Sequence, residues 1–169
     1  MHHIPNALSF LRILLCPLTS YFFLKDKIYW GYFLIACAGL TDFLDGYLAR
    51  FLNCSSSFGA LLDPIADKIF MFGLLLIFFY KGWIPLWFLI LVTLRDLLIL
   101  AGGYFFINAS ISMDMSPSVI SKWNTALLFL FLFFAHTSKS WILMLIITIT
   151  TLLSGGDYVQ RAIKAYTRS

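Results

Sequence analysis

The chain has 169 residues, 61% of them hydrophobic and 12% charged, with 12 Lys and Arg against 8 Asp and Glu. Soluble domains carry roughly 25% charged residues, so this composition excludes an ordinary soluble module and marks an integral membrane protein. The net charge of +4, spread without a basic block, excludes a nucleic-acid binder and suits anionic headgroups or phosphate-bearing substrates.

Proline, glycine and charge divide the chain into six apolar segments, each near the roughly 20 residues that a bilayer span requires. The first covers residues 7–24 and stops at Lys25, Asp26 and Lys27. Its N-terminal flank has no cation before Arg12, which already lies inside the apolar run, and no small-residue cleavage pattern. It therefore reads as a retained first helix rather than a processed signal. The second segment covers 29–50, the third 58–80, and the fourth 83–107. A polar stretch at 108–118 leads into the fifth, 118–136, with Pro117 at a place proline tolerates before a helix. The sixth covers 140–158. Trp30, Tyr80, Trp83, Trp87, Trp123 and Trp141 fall near segment ends, as an interfacial aromatic belt requires.

Continuous apolar runs in so short a chain form helices, because an alternating pattern would be needed to close a barrel. The expected fold is all-α, an integral membrane bundle of six transmembrane helices forming one domain over residues 1–169. Charge bias leaves its orientation open. With the N-terminus inside, Arg50, Arg161, Lys164 and Arg168 oppose Lys25, Lys27, Lys81 and Lys139. Cys16, Cys37 and Cys54 have no CxxC spacing and are read as free thiols in packing roles.

Four of the eight acidic residues, Asp42, Asp45, Asp63 and Asp67, lie where the second and third segments approach one turn. Each charge at mid-bilayer costs about 2.5–3.5 kcal/mol on insertion scales, so four of them need neutralising partners. Asp42 and Asp45 stand at i and i+3 of the second helix, and Gly46 and Ala49 extend that face. Gly59, Asp63 and Asp67 stand at i, i+4 and i+8 of the third. Asp42 lies about 12 Å along its helix from Arg50, at 1.5 Å per residue, so the carboxylates form a cup opening towards residues 51–57. Carboxylates so close repel one another, and an oxygen-only donor set without His or Cys selects hard divalent cations, Mg2+, Mn2+ or Ca2+, over zinc. Two such ions would balance the charge and suit phosphoryl chemistry. Gly46, Ala49 and Gly59 strip bulk from the same faces, either for close helix packing or for a ligand beside the metals.

The run from Asp42 to Asp67 matches, without a gap, Asp-x2-Asp-Gly-x2-Ala-Arg-x8-Gly-x3-Asp-x3-Asp, and so resembles the signature of the CDP-alcohol phosphotransferase family. Residues 4–12, IPNALSFLR, are similar to the Pro-Asn-x-Leu-Thr-x-x-Arg opening of its glycerophospholipid-making branch, with Ser9 where Thr is usual. The resemblance implies a multi-pass membrane enzyme, commonly a homodimer, that moves a substituted phosphate from a CDP-linked donor to an alcohol and releases CMP. It implies two divalent cations, Mg2+ or Mn2+, held by Asp42, Asp45 and Asp63, with Asp67 as metal neighbour and general base. Gly46, Ala49, Arg50 and Gly59 would line the CDP pocket, and Arg95 and Lys122 would hold the acceptor phosphate. The donor would be CDP-diacylglycerol, dissolved among membrane lipids. Its cytidine head is made in the cytoplasm, so the site should face the cytoplasm of a bacterial inner membrane, or the matrix if organellar.

Arg95 admits a second reading, a structural contact with Asp96. Ser154 to Asp157, SGGD, has no chemical account at this level. An ion channel or transporter built on the acidic cup is the rival, disfavoured because the chain lacks the repeats such folds tend to show. For the acceptor, Ser121-Lys122-Trp123-Asn124-Thr125 resembles the Ser-Lys-x-Asn-Thr of cardiolipin synthases, where the phosphatidylglycerophosphate synthases typically carry a second lysine. Leu94-Arg95-Asp96 leans the same way. Phosphatidylglycerol is thus the expected acceptor, with glycerol 3-phosphate as the alternative.

Overall fold

A computed structural model describes residues 4–52, 57–108, 118–137 and 140–167, and the side chains of residues 11–41, 65–106, 118–137 and 140–167. Among the described residues there are six helices: α1 Ile4–Leu24, α2 Ile28–Leu52, α3 Ser57–Tyr80, α4 Leu86–Asn108, α5 Val119–Phe134 and α6 Ser140–Tyr166. No strand occurs among the described residues, so the all-α, six-helix expectation holds. Two stretches are long and apolar enough to cross a membrane, Leu86–Phe106 in α4 and Ser140–Tyr166 in α6. Leu11–Leu24, Ile28–Thr41 and Val119–Phe134 are shorter apolar runs.

Local chemistry sets the helix ends. At the close of α1 the Lys27 N–H donates to the Phe22 carbonyl (3.0 Å) and the Asp26 N–H to the Phe23 carbonyl (3.1 Å). Asp26 sits at φ 57°, a left-handed turn usually given to glycine; a short polar side chain is among the few that tolerate it. Gly82, at φ 72°, follows the end of α3. The fourth helix starts at Leu86 rather than at 83, because the Pro85 carbonyl is the first to accept, from Phe88 (3.2 Å) and Leu89 (3.4 Å). Ser118 caps α5 by accepting from the Ser121 N–H at 3.2 Å. The sixth helix runs on past Tyr158 to Tyr166, against the expected stop, because SGGD does not break it. Asp157 pairs with Arg161 one turn further on at 3.1 Å.

The chain divides into two compact units, Met1–Lys81 and Gly82–Ser169. In the first, α1 packs against both α2 and α3. Gly31 of α2 lies beneath the Phe23 ring, where an added Cβ would come within 2.6 Å of Cζ, and Gly73 of α3 lies beneath the Cys16 thiol. Such close approach is what holds helices together where lipid tails are as apolar as the side chains. Along the α1–α3 seam, Arg12 meets Asp67, Phe23 meets Phe78 at 5.2 Å, and Asp26 meets Lys81 at 2.6 Å; each partner lies 55 residues further on. The two helices are therefore parallel and in one fixed register.

In the second unit α6 packs against α4 and α5. Gly102 of α4 accommodates Tyr158 of α6, whose hydroxyl donates to the Ile99 carbonyl at 3.2 Å. Phe88 and Phe131 stack their edges at 5.3 Å in the core, beside Leu128, Leu132 and Ile147.

Candidate active site

Both acidic stretches are helical. The backbone of α2 runs unbroken through residues 42–50 and that of α3 through 57–68. Asp42 and Asp45, and likewise Gly59, Asp63 and Asp67, therefore have the spacing of neighbours along one helix face. The side chains of Asp42, Asp45, Gly46, Ala49, Arg50, Gly59 and Asp63 lie outside the described residues. Among those described, no three His, Cys, Asp or Glu side chains come together.

Asp67 is described, and it is engaged. Its Oδ1 accepts from Nη1 of Arg12, which reaches across from α1. The guanidinium belongs to a residue only 3% exposed, whereas the Asp67 side chain is 45% exposed. A buried cation with no counter-ion costs several kcal/mol, so the pair satisfies the arginine. It also orients the carboxylate while leaving that side chain open to a ligand. Arg12 is the residue that reading the sequence missed. It stood there as part of the opening motif, with no role of its own. The signal was available, since an ionisable side chain inside an apolar span marks a functional place by default.

A second polar cluster ties α4, α5 and α6 together. Arg95, 7% exposed, donates from Nη1 to Asp96 (2.6 Å) and from Nη2 to the hydroxyls of Ser121 and Ser154, both at 2.5 Å. The Arg95–Asp96 contact raised by the sequence is present, with two serines added to it. Ser154 gives the SGGD stretch a structural account: its hydroxyl accepts from Arg95, and Gly155 keeps the adjoining surface small, its would-be Cβ 4.0 Å from Arg95 Cγ. Arg95 Nε is buried and has no hydrogen-bond partner among the described residues, so one N–H of the guanidinium remains unspent. Lys122, next to Ser121, is exposed.

Asn124 stands in the sequence as a neutral amide where the phosphatidylglycerophosphate synthases typically carry a second lysine. In the fold Asn124 is 2% exposed, and its Oδ1 accepts from Thr150 (2.7 Å) and Thr151 (2.9 Å) of α6. It belongs to the α5–α6 seam through these two threonines.

The family model for CDP-alcohol phosphatidyltransferases matches residues 2–153. The chain belongs to that family. Membership makes it an enzyme of phosphatidyl transfer, and divalent metal ions are general in the family. It is 40% identical over 126 residues to a CDP-diacylglycerol–glycerol-3-phosphate 3-phosphatidyltransferase of Aquifex aeolicus, covering 73% of this chain and 69% of that protein. It is 32% identical over 150 residues to a protein of the same name from Wigglesworthia glossinidia brevipalpis, covering 85% and 82%. A cardiolipin synthase (CMP-forming) of Rattus norvegicus is 33% identical over 139 residues, covering 73% of this chain and 46% of the rat protein. The transferase thus spans less than half the length of that mammalian relative.

The donor set of the acidic stretches fits the metals general to the family. Four carboxylates, with no His or Cys at the helix positions that share their faces, offer oxygen alone, which suits Mg2+ or Mn2+.

Proposed function

We propose that residues 1–169 form a single membrane-embedded catalytic domain that transfers a phosphatidyl group from CDP-diacylglycerol to a lipid alcohol. CMP is released on the cytoplasmic or matrix face, and the domain works as a homodimer. The observation that carries this reading is the family match over residues 2–153, which contains every acidic position of the signature.

In the reaction an acceptor hydroxyl oxygen attacks the phosphorus that bears diacylglycerol. The new P–O bond forms as the bond to CMP breaks, and the hydroxyl proton passes to a carboxylate oxygen of Asp67. Asp42, Asp45 and Asp63 would hold two divalent cations, with Asp67 beside them. Bound there, the metals would neutralise charge building on the leaving phosphate. Gly46, Ala49, Arg50 and Gly59 would line the CDP pocket, with the charge of Arg50 suited to its phosphates. Asp67 is suited to take the proton because its side chain stays accessible while Arg12 fixes one of its oxygens.

Arg95 and Lys122 hold the acceptor phosphate, Arg95 through its unspent Nε–H and Lys122 from the exposed side of α5. A phosphodiester acceptor carries one negative charge and needs less positive charge than a phosphomonoester. Phosphatidylglycerol therefore remains the acceptor this pair suits, with cardiolipin as product. Glycerol 3-phosphate is the second reading, favoured by the Aquifex and Wigglesworthia relatives, whose names state that acceptor.

Supplying CDP-diacylglycerol, Mg2+ and both acceptors to the purified protein, and resolving the lipids, tests the choice. Cardiolipin is the expected product. Phosphatidylglycerophosphate without cardiolipin moves the acceptor to glycerol 3-phosphate, and absence of both with no CMP overturns the transferase reading for this chain.

A further inference from the structure

We infer that Arg12 is a positioning residue of the transferase site, holding the Asp67 carboxylate in place as proton acceptor and keeping it from full engagement with the metals. The inference rests on the reading of Asp67 as the base.

Three observations support it. Arg12 is 3% exposed and lies within an apolar stretch of α1, so its guanidinium is committed to the protein interior rather than to headgroups or water. It meets Asp67, a carboxylate whose neighbours in sequence are the other acidic residues of the signature. An oxygen that accepts from a guanidinium is less available to a cation, so one oxygen of this carboxylate is claimed by the chain itself. Geometry held from outside the acidic helices would keep Asp67 distinct from three carboxylates of identical chemistry.

The seam between α1 and α3 shows why this contact is not needed to hold the fold. The same register is set by Phe23 against Phe78, by Gly73 beneath Cys16, and by the exposed Asp26–Lys81 pair at the far end. That end pair lies beyond the C-terminal end of α1, and Leu24, the last residue of the helix, is already about 18 Å along it from Arg12, at 1.5 Å per residue over 12 residues. Removing the Arg12 side chain therefore leaves several independent contacts to keep the two helices aligned, while Asp67 loses its contact with the guanidinium.

The test uses Arg12→Gln, Arg12→Lys, Asp67→Asn and the double variant Arg12→Gln with Asp67→Asn, each purified in lipid nanodiscs. It reads kcat, KM for CDP-diacylglycerol, direct Mn2+ binding and thermal stability. Loss of position at a reacting group costs about 10- to 100-fold in rate. Arg12→Gln should lower kcat by that factor with KM changed less than about threefold, and Arg12→Lys should recover part of the loss. Mn2+ affinity should be equal or higher in Arg12→Gln, because the carboxylate is released. The double variant should be no slower than Asp67→Asn alone, since Arg12 acts through Asp67. Wild-type kcat in Arg12→Gln, weakened Mn2+ binding, or a further loss in the double variant overturns the inference. If Arg12→Gln does not fold, Arg12→Lys decides it: a lowered kcat with KM for CDP-diacylglycerol changed less than about threefold supports the inference, wild-type kcat overturns it, and failure to fold there as well overturns it by assigning Arg12 to stability alone. Inactivity of the wild-type chain with every alcohol sinks the transferase reading itself, an outcome distinct from all of these.

Discussion

Asp67 meets a buried arginine, and in the proposed reaction the same side chain takes the proton of the acceptor hydroxyl. Replacing it with Asn keeps shape and hydrogen-bonding capacity but removes the ability to accept a proton. Asp67→Asn should therefore lower turnover by at least about 100-fold, the usual scale for a general base. Direct Mn2+ binding and CDP-diacylglycerol affinity should survive, since Asp42, Asp45 and Asp63 are intact. Steady-state kinetics beside a Mn2+ titration check this, and near-wild-type turnover would remove Asp67 from the mechanism. The helical spacing of the acidic positions was readable in advance, because spacing along a helix is a sequence property. Arg12 was not readable in the same way. Its partner lies 55 residues away, and only the packing of α1 on α3 brings the two together.

Among the elements, α5 and α6 show how two residues close in a linear pattern part company on a helix. Asn124 sits two positions from Lys122. On a helix that offset is about 200°, so the two side chains point nearly opposite ways. Lys122 is exposed and Asn124 is buried between Thr150 and Thr151. Asn124→Ala should cost about 0.6–2 kcal/mol of stability, the range of interhelical hydrogen bonds in membrane proteins. The product ratio when both acceptors compete should not change. Thermal unfolding in lipid and a competition assay separate the two effects; a shifted product ratio at unchanged stability would give position 124 a role at the acceptor site. The extent of α6 was also hidden from the sequence. Hydropathy falls at Asp157 and Arg161, but these two pair with each other one turn apart and so carry the helix onward. Helix number was legible because each apolar run is bounded by charge, glycine or proline. The starts of α4 and α5 were legible only to a few residues, since Pro85 and Ser118 act through backbone hydrogen bonds that hydropathy does not register.

For the whole molecule, composition, family and chemistry converge on a membrane transferase. A chain with 12% charged residues keeps half of its acidic residues within one 26-residue signature, and that signature lies inside the stretch shared with the CDP-alcohol phosphatidyltransferases. Such a concentration of charge is costly in an apolar setting unless cations and a phosphate-bearing donor compensate for it. The most direct test is CMP release by the purified protein in nanodiscs containing CDP-diacylglycerol and phosphatidylglycerol, measured together with newly formed phosphodiester lipid. The account predicts one CMP for each new lipid, none after exhaustive chelation, and recovery on adding Mg2+ or Mn2+. CMP released without a new lipid bond, or an undiminished rate in excess chelator, would contradict it.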